Sequence, residues 1–221
     1  MKENKVIIFM VEGPSDEDAL VVPLENELVS KKIRVKTKVL HTDILTKYSD
    51  GEKFETTTSN VVSKVKMIVE DFFNKSKYLN LKYKDIGKII YITDTDNCFF
   101  KEARHSKNKK ECLKVLFSTK SIFLGKRNAE KEIPFDVIFM SQNLEHVIKG
   151  KLRDYTDEEK RKISKVFSNA CYEDFTLYIE LFNSKDVKKW EDYSSSYTGI
   201  ETTEERASNM NCLLDELEII N

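Results

Sequence analysis

The sequence predicts an α/β protein: a mainly parallel sheet flanked by helices, followed by a C-terminal helical extension. Three observations carry this. Short, near-continuous apolar runs occur at Val6–Val11, at "IGKIIYI" (Ile86–Ile92) and at "FDVIFM" (Phe135–Met140), as suits strands covered on both faces. Between them lie segments whose apolar residues recur at helical spacing. Strand and helix alternate as far as Met140, and mainly helical periodicity follows.

The first strand, Val6–Val11, ends abruptly in "EGPSDED". Residues 15–31 then place Ala19, Leu20, Leu24 and Leu28 on one helical face, and Pro23 should kink or split that element. "IRVKTKVL" (Ile33–Leu40) alternates, with Ile33, Val35 and Val39 opposite Arg34, Lys36 and Lys38. That pattern predicts a half-exposed edge strand. "SNVVSKVKMIVEDFFNKS" (Ser59–Ser76) is the clearest helix, with an apolar stripe from Val61 to Phe73 and Ser59 as its N-cap. A shorter helix is predicted near Lys109–Lys120, after the second apolar strand. Beyond Met140 come helices around Leu144–Lys149, Asp157–Ala170, Glu173–Phe182 and Glu204–Leu217. Asp43–Thr58 and Asp192–Thr203 read as loops, the second anchored by Trp190, Tyr193 and Tyr197. The resulting division is a catalytic domain over residues 1–150 and a helical extension over 151–221 packed on it.

Bulk composition narrows the function classes. With 221 residues, 40% hydrophobic and 34% charged, the chain can bury a sizeable core. No apolar run approaches the roughly 20 residues needed to span a bilayer. The lysine-bearing start runs into "VEGPSDED" without a small-residue cleavage site, which predicts a cytoplasmic protein and no membrane partner. Cys98, Cys112, Cys171 and Cys212 are scattered without a C-x-x-C pair, so free thiols are expected and a structural zinc site is not. Net charge is −1, yet Lys101–Lys131 is locally basic, and such a face can meet phosphates.

The chemistry-bearing pattern is acidic. Each apolar strand runs toward carboxylates: Glu12 after the first, with Asp16 four residues on across Gly13–Pro14; Asp94 and Asp96 in "IIYITDTDN"; Glu145 after the third. In a parallel sheet these acids gather at one rim, where ligands of α/β proteins bind. Two carboxylates about 4 Å apart repel by about 4 kcal/mol in a surface-like dielectric. A hard divalent cation offsets that, and an all-oxygen donor set suits Mg²⁺ or Mn²⁺. Taken singly the signals are weak, because Asp16 reads equally well as a helix cap and a lone D-x-D is common. Together, Glu-Gly after one strand and D-x-D after another, 82 residues on, form a specific pattern.

At these residues the chain resembles the Toprim domain, shared by topoisomerases, DnaG-type primases, ribonuclease-maturation nucleases and OLD-family nucleases. The E-G-x-x-D form of "VIIFMVEGPSDEDAL", followed by "IIYITDTDN", is most similar to OLD-type nucleases and related anti-phage defence proteins. "SQNLEH" corresponds to their serine–glutamate motif, with Asn143 where serine is expected. The resemblance covers roughly residues 6–149. It implies metal-dependent cleavage of DNA or RNA, with Glu12, Asp94 and Asp96 catalytic. Glu12, Asp16, Asp94, Asp96 and Glu145 would hold the metal, and Lys149 or Lys151 would be the catalytic lysine. It also implies a separately encoded ATPase partner, since no Walker motif is present. Lys101, Arg104, Lys107, Lys109 and Lys110 follow the D-x-D and would flank the rim as nucleic-acid contacts. A primase-type nucleotidyl transferase and a non-catalytic Toprim-like module remain the alternatives, and the last helix leaves a docking or oligomer contact open.

Overall fold

The structure, a computed structural model, describes residues 5–31, 35–45, 56–75, 81–96, 98–99, 104–126, 130–203 and 205–217. Among these residues six strands form one sheet: β1 (Lys5–Val11), β2 (Val35–His41), β3 (Ile86–Asp94), β4 (Ser121–Leu124), β5 (Lys131–Ser141) and β6 (Ala207–Ser208). Their order is β2-β1-β3-β5-β4, with β6 also pairing β5. The β1–β2, β1–β3 and β3–β5 pairs are parallel, whereas β4 and β6 run antiparallel to β5.

The apolar runs become strands for the reason they suggested: both faces are covered. Ile8, Met10, Ile89, Tyr91, Val137 and Phe139 point into one buried cluster, with Val61, Val65, Val69, Leu113 and Leu116 opposite. Ile7, Phe9, Val11, Ile90, Ile92 and Ile138 point into the other, against Leu20, Leu24, Tyr178, Phe182 and Leu213. At about 25 cal/mol per Å² of apolar area, these two layers are the main stabilising term.

After β1 the chain makes one turn of helix, α1 (Pro14–Asp16), then a wider π segment (Glu17–Val21), then α2 (Val22–Ser30). The predicted break is therefore a change of helical type, with Pro23 in the first turn of α2, where its missing N–H is not needed. The predicted edge strand is β2, at the end of the sheet; Ile33 and Arg34 lie outside the described residues. The long helix is α3 (Val61–Lys75), and α4 (Arg104–Ser118) starts five residues before the predicted one. Further on come α5 (Leu144–Lys149), α6 (Asp157–Glu173), α7 (Thr176–Asn183), α8 (Tyr193–Gly199) and α9 (Met210–Glu216).

Two predictions fail here. Residues 192–203 are not a loop: Asp192 caps α8 by accepting the Ser195 N–H, and a 3₁₀ turn (Ile200–Thr202) follows. Residues 205–209 are not helical, because Ala207–Ser208 adds β6; residue 204 lies outside the described residues. Of the other predicted loop, 46–55 lies outside the described residues. The four cysteines are free and buried. Among the described residues no helix is long and apolar enough to cross a membrane.

The segment beyond residue 150 is tied closely to β5. Where β4 ends its pairing, Phe135 N–H reaches Lys120 C=O, just before β4, at 2.9 Å, and later residues take over from there. Val137 N–H donates to the Tyr197 hydroxyl at 2.9 Å and Phe139 N–H to Asn209 Oδ1 at 2.9 Å. Asn209 Nδ2 returns to Val137 C=O at 2.9 Å. Side chains and β6 thus take up the flank of β5 that β4 leaves open.

Candidate functional site

The strand order reverses between β1 and β3, since β2 lies on one side and β5 and β4 on the other. The carboxyl ends of β1 and β3 therefore border the crevice where doubly wound sheets take ligands. Glu12 directly follows β1, and Asp94 ends β3. Glu12 Oε1 accepts the Thr93 hydroxyl at 2.5 Å and the Asp94 N–H at 3.3 Å. Parallel pairing of β1 with β3 brings together residues far apart in sequence.

The remaining acids are held by backbone donors. Asp16 accepts the Gly13 N–H at 2.9 Å, so it closes the turn as a cap while standing at the rim. Asp94 Oδ1 accepts the Leu144 N–H from the first turn of α5 at 3.0 Å. Asp96 sits in left-handed backbone, φ 49°, with its N–H on Gln142 C=O at 2.6 Å. Glu145, one residue into α5, is 2% exposed, and its Oε2 is buried without a hydrogen-bond partner. Asn143, where the resemblance called for serine, caps α5 through the His146 N–H at 2.8 Å. His146 Nδ1 lies 2.9 Å from Ser141 C=O, a structural bond.

Electrostatics binds these acids into one system. Burial raises the Asp16 carboxyl to about 7, and Glu12 and Glu145 push the same way against the Gly13 N–H and Lys160. Burial, then Glu12, Asp16 and Asp96, holds Asp94 well above the usual carboxylate range. Glu12 is raised by burial, opposed by Lys109 and the Thr93 hydroxyl. Such shifts mark a place short of positive charge.

Among the described residues Lys109 supplies the positive charge nearest to Glu12 and Asp96. Its Nζ lies 2.6 Å from Asp96 Oδ2 and 3.8 Å from Glu12 Oε1, with the side chain 4% exposed. Desolvation works against the ammonium, but Glu12 and Asp96 outweigh it and raise its pKa. Lys109 was expected among solvent-facing phosphate contacts; instead it points inward. The signal for that was in the sequence: Lys109, Cys112, Leu113, Leu116 and Phe117 share one helical stripe, and all are buried. Of its expected companions, Lys107 is exposed and Lys110 lies over the Phe99 ring at 5.5 Å. Lys101 and the Arg104 side chain lie outside the described residues.

A basic cleft of about 550 Å³ opens between α5 and α6, lined by Lys149, Lys151, Arg153, Tyr155 and Lys162, with Glu159 bound to Arg153 at 2.7 Å. It contains both lysines singled out from sequence. Lys160, on the same helix, acts on Asp16. The missed contributors, Arg153 and Lys162, belong to the run "KGKLRDYTDEEKRK", where interspersed acids hid the local excess.

Carboxylate oxygens suit a hard divalent cation, and Glu145, with its orphaned buried oxygen, acts on Asp16. Among the described residues, no group of three or more His, Cys, Asp and Glu side chains is spaced to hold a metal ion as it stands. No family model, no curated protein and no solved structure matches the chain.

Proposed function

We propose that the protein is a divalent-cation-dependent nuclease whose centre is the acidic rim at the carboxyl ends of β1 and β3. The observation that carries this reading is the charge deficit: five carboxylates meet two lysines, Lys109 and Lys160, Asp16 and Asp94 are pushed up by burial, and Glu145 keeps a buried oxygen unpaired. The Toprim resemblance of "VEGPSD" and "TDTDN" supports the same reading.

Asp16, Asp94 and Glu145 are the residues that would hold Mg²⁺ or Mn²⁺. Bound there, the ion supplies Lewis-acid activation of a phosphodiester and of the attacking water. The chain's own groups do the rest. The Gly13 and Leu144 N–H groups fix Asp16 and Asp94 through one oxygen each, which leaves the second oxygen for the ion. The Thr93 hydroxyl and Asp94 N–H fix Glu12 Oε1, so Oε2 can take a proton from water. The cleft with Lys149, Lys151, Arg153 and Lys162 offers the phosphate backbone a path to the rim.

Purified protein with Mn²⁺ or Mg²⁺ should cut labelled DNA or RNA, and Glu12→Gln and Asp94→Asn should abolish cutting. No cleavage of either substrate with either metal, with both variants silent in cells, overturns the reading. One observation favours the non-catalytic module instead: Lys109 already satisfies Glu12 and Asp96. Calorimetric titration separates the two, since a module without a metal centre takes up no Mn²⁺.

A further inference from the structure

The connection between α5 and α6 is held in a defined shape. Gly150 ends α5 in left-handed backbone, φ 67°. The Tyr155 hydroxyl donates to Lys151 C=O at 2.9 Å, and Thr156 opens α6 with a reciprocal cap to Glu159. Arg153 lies over the Tyr155 ring, 4.0 Å from its centroid. Its two terminal nitrogens reach the Glu159 carboxylate at 2.7 Å and 3.2 Å. The guanidinium is thus matched in charge and fixed in plane, while half of the side chain stays exposed. What it offers a ligand is a flat face. Lys149, Lys151 and Lys162 line the same cleft. All three are exposed, and among the described residues none has a carboxylate partner. Leu152, between Lys151 and Arg153, is 54% exposed.

Unpaired ammonium groups suit phosphates, and a fixed guanidinium plane suits a base laid on it. Bases stacked inside a duplex cannot reach such a plane; those of a single strand can. We infer that the cleft between α5 and α6 binds single-stranded nucleic acid, with one base stacked on the open face of Arg153 and the adjoining phosphates on Lys149, Lys151 and Lys162. Its volume, about 550 Å³, falls within the range of roughly 300–1,000 Å³ that holds small ligands, which suits a nucleotide unit. Both helices also serve the acidic rim. The helix α5 carries Glu145 and ends at Lys149, and α6 carries Lys160, which acts on Asp16, two residues before Lys162. As the path of a substrate this rests on the nuclease reading and names that substrate as one strand; the binding itself is read apart from it.

The test is fluorescence anisotropy of the full chain with labelled single strands of DNA and RNA and with duplexes of the same sequences. A chelator is present throughout, so that binding is read without metal or cleavage. A single strand should bind about tenfold more tightly than its duplex, the lower end of what one stacked base supplies. Arg153→Lys keeps the charge and loses the plane, so it should abolish that preference and leave duplex affinity unchanged. Lys162→Ala should keep the preference and lower the salt dependence of single-strand binding by roughly 0.7 of a slope unit. Equal affinity for duplex and single strand, no binding of either, or a preference that survives Arg153→Lys overturns the inference. Vesicles of phosphatidylserine in phosphatidylcholine that displace the single strand overturn it as well. Single-strand binding by a protein that cuts nothing with Mn²⁺ or Mg²⁺ upholds the cleft and overturns the nuclease reading; cutting without single-strand preference does the reverse.

Discussion

Two lysines in this protein, Lys109 buried and Lys88 partly so, each bridge two carboxylates, and their surroundings differ. Lys88 lies near the amino ends of the strands. Its ammonium is 2.7 Å from Asp136 and also pairs with Glu216, with the Tyr193 ring 5.0 Å away. Lys109 lies at the carboxyl ends, between Glu12 and Asp96, with Asp16, Asp94 and Glu145 close by. One lysine against two acids, with Glu216 43% exposed to solvent, is a structural ion pair that joins β3, β5 and α9. Lys109 and Lys160 against five acids, of which Asp96 is 51% exposed and Glu145 2%, is a place where the fold tolerates repulsion. Interaction geometry is alike at both ends; the unbalanced charge singles out the carboxyl end, where the function is proposed.

The largest expected effect tests that contrast directly. Removing the cation leaves Glu12 without it, while Asp96, half exposed, can turn to water, so Lys109→Met should lower unfolding stability by about 2–3 kcal/mol in chemical denaturation. Lys88→Met, whose partner Glu216 can turn to water, should cost about 1–2 kcal/mol. Equal losses would mean that the two clusters are alike.

Next in size is a reversal of sign. Asp94→Asn keeps an oxygen for the Leu144 N–H and removes a charge that burial opposes. The metal-free protein should gain about 1–2 kcal/mol, while Asp136→Asn loses about 1 kcal/mol. If both variants destabilise, the rim carries no stored repulsion.

The pH profile sharpens this further. The Asp16 carboxyl titrates at about 7 in the fold, against roughly 3.9 for an unperturbed aspartate. The folded state therefore holds the proton more tightly. The stability from this group is whole below the unfolded value and is lost as pH rises through 7. Metal-free melting temperature should climb as pH falls from 8 to 5.5, and saturating Mn²⁺ should flatten that slope. The smallest effect lies outside the rim. Lys151→Ala should leave stability within about 0.5 kcal/mol but lower the salt dependence of nucleic-acid affinity by about one unit of slope.

What could be read from the residues follows what each element depends on. β1, β3 and β5 were legible because burial on both faces leaves an uninterrupted apolar run. β4 was not, since Ser121–Leu124 is four residues long and follows directly on a helix. Asp192–Thr203 hid α8 behind serines, although Asp192 and Ser195 at cap spacing were the available signal. In the site, Glu12, Asp16, Asp94 and Asp96 stood out by their place at strand ends. Thr93 did not, because its role depends on the register between β1 and β3 rather than on local sequence. Lys109 was misplaced because a charge run suggests solvent, and its stripe position was outweighed by four neighbouring lysines and arginines.

The flank of β5 carries one more consequence. Its outward N–H groups at residues 135, 137, 139 and 141 end on Lys120, Tyr197, Asn209 and β6 in turn. Most of these stoppers come from the last thirty residues. A fragment cut after α5 would bare that row beside the segment that carries Glu145. Raw strand edges recruit other strands, so such a fragment should clump with its own copies, and the acidic rim would go down with it.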